Sequence, residues 1–217
     1  MIDIGASLIQ GSVQRDLVLA SDTGSLRRLL EASGLAFRVS PLNLEAVATH
    51  QAVLKHMEET DPADVAELLT RTKIEEANAR VPGALIIGAH QVVSIDGKLL
   101  EEPKTIDAAR DRLFELRGKT HQLHSAVALA EEGQITWTIT WTHVETAHLT
   151  MRSFSTQFVG RYLAAVGLHV CDSPGAYQLD GVGLQLFDRI QGDYLAVLGV
   201  PILQLFARLR QSGFMAT

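Results

Sequence analysis

One cysteine, Cys171, stands among 217 residues, so neither an internal disulfide nor a cysteine-built metal cluster is open to this chain. That scarcity points to a reducing compartment. Aromatic residues make up only 6 % of the chain and prolines number six. No stretch approaches the roughly 18 to 20 consecutive apolar residues of a membrane-spanning helix. The opening residues carry no basic segment ahead of an apolar one, so they do not read as a secretory signal. Basic side chains are the minority: Lys and Arg total 19 against 25 Asp and Glu, a net charge of −6. The resulting pI, near 5.7, argues against broad nucleic-acid binding while leaving room for a small anion pocket. What is present is an ordinary globular composition, 47 % hydrophobic with mean hydropathy +0.13. A chain of this length buries roughly 70 % of its unfolded surface and builds a core without staples. The expectation is a soluble cytoplasmic protein.

Along the chain, Leu17–Ala20 is an apolar run that stops at Ser21-Asp22-Thr23-Gly24, and a helix follows to Gly34. A strand passing through hydroxyl and glycine residues into a helix offers backbone N–H groups to an anion. Phe37–Pro41 suggests a second strand, and Pro62 opens a helix with apolar Val65, Leu68, Leu69, Ile74 and Ala77, with Lys73 within or beside that stripe. Leu85–Ala89 predicts a buried strand, continued by Val92–Ile95 to the hairpin signal Asp96-Gly97. A helix over Thr105–Leu116 stops at Gly118. Strands are then predicted at Gln122–Ala130, Gln134–Val144 and Thr146–Met151, and a helix at Ser155–Ala165. Short strands at Val182–Phe187 and Leu195–Leu198 precede a last helix opened by Pro201. Early alternation with an antiparallel middle predicts a mixed-sheet α/β fold. The expected boundaries are a leader over 1–16, one domain over 17–213 and a tail over 214–217.

Read for chemistry alone, the residues say less. His121 and His124 fall on opposite faces of an alternating strand, and His143 and His148 lack helical spacing, so these four read as strand-face or surface histidines rather than zinc ligands. Ser21 and Thr23 lie in no Gly-x-Ser-x-Gly elbow and suit turn and cap chemistry equally well. Lys73 fits a phosphate ligand and, more readily, a solvated helix lysine. The glycine clusters at 175, 181–183 and 192 suit turns or close approach to a ligand.

One family gathers these fragments. Leu19-Ala20-Ser21 before a Leu29-Leu30 helix, Ile87-Gly88-Ala89, Asp96-Gly97, Gly118-Lys119-Thr120-His121, Gly175-Ala176-Tyr177 and Gly192-Asp193-Tyr194 through Gly199-Val200-Pro201 stand in one order over roughly Leu17 to Gly213. In that order they resemble the Maf family of nucleoside triphosphate pyrophosphatases. The resemblance implies an elongated two-lobed mixed α/β fold around a central nucleotide cleft, related to the inosine triphosphatases. It also implies dimerisation, a divalent metal (Mg or Mn), and cleavage of a nucleoside triphosphate to monophosphate and pyrophosphate.

Carried over position by position, it implies phosphate-binding roles for Ser21, Thr23, Arg27 and Lys73, catalytic roles for His90, Glu45 and Lys73, and a metal-binding role for Glu45. Several positions depart from the family pattern. Ser25 and Leu26 stand where it has arginines, with Arg27 one place late. His90 replaces its aspartate, Glu102 and Ser173 replace lysines, Asp180 replaces a glutamine, and Ala196 replaces an asparagine. Fewer cations and more carboxylates disfavour phosphoryl chemistry. Lys98, Lys104 or Arg27 would have to compensate. Two functions therefore follow: a pyrophosphatase of weakened activity, or a non-catalytic nucleotide-binding paralogue. On the first, His90→Asp alone is expected to rescue activity only in part, and adding Leu26→Arg and Glu102→Lys to raise it by more than the sum of the single changes.

Overall fold

The computed structural model describes residues 11, 13, 15–20, 24–40, 60–76, 83–132 and 137–217. In chain order these form β1 (Leu17–Leu19), α1 (Gly24–Ala32), β2 (Arg38–Val39), α2 (Pro62–Glu76), β3 (Leu85–Ile95), β4 (Lys98–Leu100), α3 (Ile106–Leu116), β5 (Thr120–Glu132), β6 (Trp137–Met151) and α4 (Thr156–Val166). Two 3₁₀ turns (Gly167–Asp172 and Val182–Leu186), β7 (Phe187–Gln191), α5 (Tyr194–Val197) and α6 (Ile202–Gln211) complete the chain. The strands make one mixed sheet of seven in the order β2-β1-β3-β5-β6-β7, with β4 also on β3. β1 pairs in parallel with β2 and β3, and the remaining pairs are antiparallel. The expected mixed α/β class is the observed one.

β3 organises everything around it. Ten of its eleven residues, Leu85 to Ser94, pair with β5 on one edge. On the other edge β1 covers only Leu85–Ile87 and β4 only Val93–Ile95. No described strand stands beside residues 88–92 on that edge, so the sheet is split at its centre. Tight hairpin chemistry sets the far side of the split, because Asp96 (φ 52°) and Gly97 (φ 76°) both take the left-handed conformation that a two-residue turn requires.

The two faces of β3 pack differently. Ile86 and Val92 lie under α2, and β5 adds the small residues Ala126, Ala128 and Ala130 on the same side. At Gly88 the helix comes so close that a Cβ would sit 2.6 Å from Ile74 Cγ1 and 2.9 Å from the Thr70 carbonyl oxygen. On the opposite face two cores meet. Leu85, Ile87 and Ala89 join β1, α1 and α6, including Leu26, Leu30, Leu205 and Leu209. Val93 and Ile95 join α3, α4 and the 3₁₀ turns. Between them lies a polar pin. Gln91 Nε2 donates to Ser125 Oγ (2.8 Å) and to the carbonyls of Ala196 and Val197, while Ser125 Oγ donates to Ala196 O (2.7 Å).

Three sequence expectations change. Val182–Leu186 is a 3₁₀ turn rather than a strand, with the Gln178 carbonyl packed 2.2 Å from where a Cβ on Gly183 would lie; β7 begins only at Phe187. Residues 195–198 belong to a helical turn, because the Asp193 carboxylate accepts from Leu195 N (2.8 Å) and caps it. The strands expected at Gln134–Val144 and Thr146–Met151 are continuous across Val144–Thr146 as β6, whose register with β5 runs unbroken there. On α2, Val65, Leu69 and Ile74 are buried as expected and are joined by Ala66, Thr70 and Lys73, whereas Leu68 is 38 % exposed and Ala77 lies outside the described residues. Gly11 N and Val13 N donate to the carbonyls of Phe214 and Gly213, so the first described residues are stitched to the last.

Candidate active site

A cleft of about 520 Å³ opens at the split in the sheet, walled by Ala89, His90 and Gln91 of β3, Lys73 of α2, Arg28 of α1, and the 172–180 and 197–199 segments. Close packing at Gly88 is what brings Lys73 to it. The lysine is 6 % exposed and its Nζ donates to the Ala89 carbonyl at 3.2 Å, on the edge that β1 and β4 leave uncovered. His90, partly buried, follows on the same strand. Ser21, Thr23 and Glu45 lie outside the described residues.

Besides the cations Lys73 and Arg28, three carboxylates, Glu102, Asp172 and Asp180, are set among otherwise neutral walls. Glu102 lines the cleft together with Asp172 and Lys73. Burial raises its pKa, the Asp172 carboxylate raises it further, and the Lys73 ammonium acts the other way. Arg112 of α3 brackets the two acidic segments, its Nη1 donating to Glu101 O (3.0 Å) and Pro174 O (2.6 Å). Asp180 forms an ion pair with Arg28. Arg27 pairs with Glu31 on its own helix at 2.8 Å, and it is Arg28, one residue on, that lines the cleft. Lys98 and Lys104 are exposed and are not part of the cleft wall. Among the described residues no three His, Cys, Asp or Glu side chains gather closely enough to hold a metal ion. A cage of three such side chains therefore does not fit, whereas Mg²⁺ commonly takes only one or two carboxylates and completes its shell with water and substrate phosphate.

Sequence reasoning missed Arg28, Arg112, Asp172 and Gln91. Helical periodicity was the only signal for Arg28, since it is set apart from Leu26 by two residues on α1. The other three are tertiary, joined to the cleft across 62 residues in the case of Arg112 and Pro174.

Below the cleft lies Tyr177, 4 % exposed, its hydroxyl 2.7 Å from His121 Nε2. His121 is fully buried and His124 nearly so, the latter held by Ser94 Oγ and Thr146 Oγ1. Both are strand-face histidines of β5, one of the two readings from sequence, and neither is at the surface, because both faces of β5 are covered. Among the described residues His121 Nδ1 has no hydrogen-bond partner, and burial lowers the pKa from 6.5 to about 4. The folded state thus binds fewer protons than the unfolded chain between those values, so stability is retained above pH 6.5 and falls on acidification. A slope approaching 1.4 kcal/mol per pH unit is expected in that window. Urea titrations of wild type and His121→Gln from pH 7 to 4 measure it; equal slopes would show that His121 is not the source.

The sequence model of a family described as Maf-like protein matches residues 16–212. The chain belongs to the Maf family. Among its Maf-family relatives is a 7-methyl-GTP pyrophosphatase of Brucella abortus, 40 % identical over 195 residues that cover 90 % of this chain and 95 % of the relative. A nucleoside triphosphate pyrophosphatase of Paramagnetospirillum magneticum is 41 % identical over 199 residues, covering 90 % and 98 %. Another of that name, from Caulobacter vibrioides, is 38 % identical over 197 residues, covering 91 % and 96 %. This Maf-like chain is a homologue of nucleoside triphosphate pyrophosphatases across nearly its whole length.

Proposed function

We propose that the chain hydrolyses a nucleoside triphosphate to the monophosphate and pyrophosphate in the cleft at the split of the sheet. The observation that carries this reading is Lys73, a buried cation aimed at the cleft edge of β3 one residue before His90. Lys73 meets the phosphate chain. His90 accepts a proton from the attacking water, an imidazole being suited to that transfer near neutral pH. Water oxygen bonds to the α-phosphorus, the α–β bridging oxygen leaves with pyrophosphate, and the proton rests on His90. Ser21 and Thr23 are assigned to the phosphates and Glu45 to the divalent ion, on the family resemblance, whereas Arg27, paired with Glu31 and absent from the cleft wall, is not. Homodimerisation and a cytoplasmic location belong to the same proposal.

The base is proposed from charge. Glu102, Asp172 and Asp180 face the cleft against Lys73 and Arg28. Carboxylates favour a cationic partner, and a 7-methylated guanine carries a positive charge that guanine lacks. Pyrophosphate release is to be followed with GTP, 7-methyl-GTP and the other common triphosphates, in Mg²⁺ and in Mn²⁺, since Maf pyrophosphatases are generally metal-dependent. Release with 7-methyl-GTP above GTP is expected. Absence of release with every nucleotide would end the catalytic reading. Tight calorimetric binding in that case would establish the second one, a non-catalytic nucleotide-binding protein, which the excess of carboxylates over cations favours.

A further inference from the structure

The cleft has two described cations, and they are held in opposite ways. Lys73 is buried and bonded to a backbone carbonyl, so its position is set by the fold. Arg28 reaches from α1 to Asp180, a residue 152 positions later, and both side chains remain open to water, at 64 % and 44 % exposure. An ion pair so exposed holds its partners only weakly. Both of its members line the cleft. The arginine position of the family pattern cannot supply a cation here, because Leu26 is fully buried among Leu30, Leu205 and Leu209.

We infer that Arg28 is a triphosphate-binding residue of this cleft and that Asp180 is its internal competitor, occupying the guanidinium until a polyphosphate displaces it. This rests on the cleft being the nucleotide site proposed above. A guanidinium presents paired N–H donors that fit a phosphate as well as a carboxylate. Replacing one carboxylate by two or three linked phosphates raises the charge facing Arg28, so the exchange favours triphosphate over monophosphate. Asp180 thereby acts as a filter on phosphate number: a monophosphate gains little by evicting it, and a triphosphate gains most.

The test is calorimetry with guanosine 5′-(α,β-methylene)triphosphate, which resists cleavage at that bond, and with GMP. Wild type, Arg28→Ala, Asp180→Asn and the double variant are compared, each checked for an unchanged melting temperature. Both residues are exposed, so folding is expected to survive. Asp180→Asn is expected to tighten the triphosphate analogue about three- to tenfold and GMP less. Arg28→Ala should weaken the analogue about tenfold. In the double variant the gain from Asp180→Asn should fall to about twofold or less, the remainder being through-space repulsion. Equal affinity of wild type and Arg28→Ala overturns the inference, as does an undiminished gain in the double variant or failure of both wild type and Asp180→Asn to bind the analogue. The expected binding pattern without pyrophosphate release from GTP or 7-methyl-GTP supports the inference while ending the catalytic reading.

Discussion

Leu26→Arg is expected to abolish folding rather than restore a phosphate-binding arginine. Leu26 is fully buried on the inner side of α1, in the cluster shared by β1, β3 and α6. An arginine there loses the leucine's packing, worth about 2–5 kcal/mol for truncation of such a residue. It also buries a charge with no partner, at about 3–5 kcal/mol. Together these approach the about 5–15 kcal/mol that holds a typical domain folded. Circular dichroism and urea titration decide it, with Leu26→Met as control, expected within about 1.5 kcal/mol of wild type. A soluble Leu26→Arg with an unchanged urea midpoint would place this helix face elsewhere. The combined His90→Asp, Leu26→Arg, Glu102→Lys variant suggested by the family pattern is accordingly corrected: its second change removes the scaffold that the other two need.

Lys73→Met should show the opposite split, with activity lost and the fold kept. Removing one positioned charge from a phosphoryl-transfer site costs roughly 10²–10³ in rate. Stability is expected to hold or rise, since methionine fills similar volume and the desolvation cost of a buried ammonium disappears. Against that stands the Ala89 carbonyl, which loses its donor at about 1 kcal/mol. Pyrophosphate release and the urea midpoint, measured on one preparation, separate the two roles. Full activity in Lys73→Met would remove the lysine from the mechanism, and a collapsed midpoint would make it structural. Glu102 supplies a second readout. Lys73 lowers its pKa, so in the variant that pKa should move further up.

Much of the scaffold was legible because its signals are local. Pro62 opens α2, Asp96-Gly97 closes the hairpin, and Thr105 and Ser155 cap α3 and α4 through Ala108 N and Phe158 N. The site was less legible because its decisive features are not local. His90 and Lys73 were singled out from the family pattern, but that the sheet splits beside His90 follows from where β1 and β4 end, which no single segment encodes. Choosing between Arg27 and Arg28 turns on a 100° step around a helix whose rotation is set by Leu26 and Leu30 finding α6. For His121 and His124 the choice between strand face and surface stayed open, because alternation reveals two faces but not that both are covered.

During synthesis β1 and α1 emerge well before α6, which completes the cluster that their leucines enter. Leu17, Leu19, Leu26 and Leu30 share their cluster with Val200, Ile202, Leu205 and Leu209. The other large core draws its buried residues from 93–197 and has all of them before α6 has been made. For that interval the apolar side of α1 has β1, β3 and β5 to pack on but lacks the cover of Val200, Ile202, Leu205 and Leu209. A newborn chain is therefore most open to wrong association, and most in need of a chaperone, at its first helix rather than at its cleft.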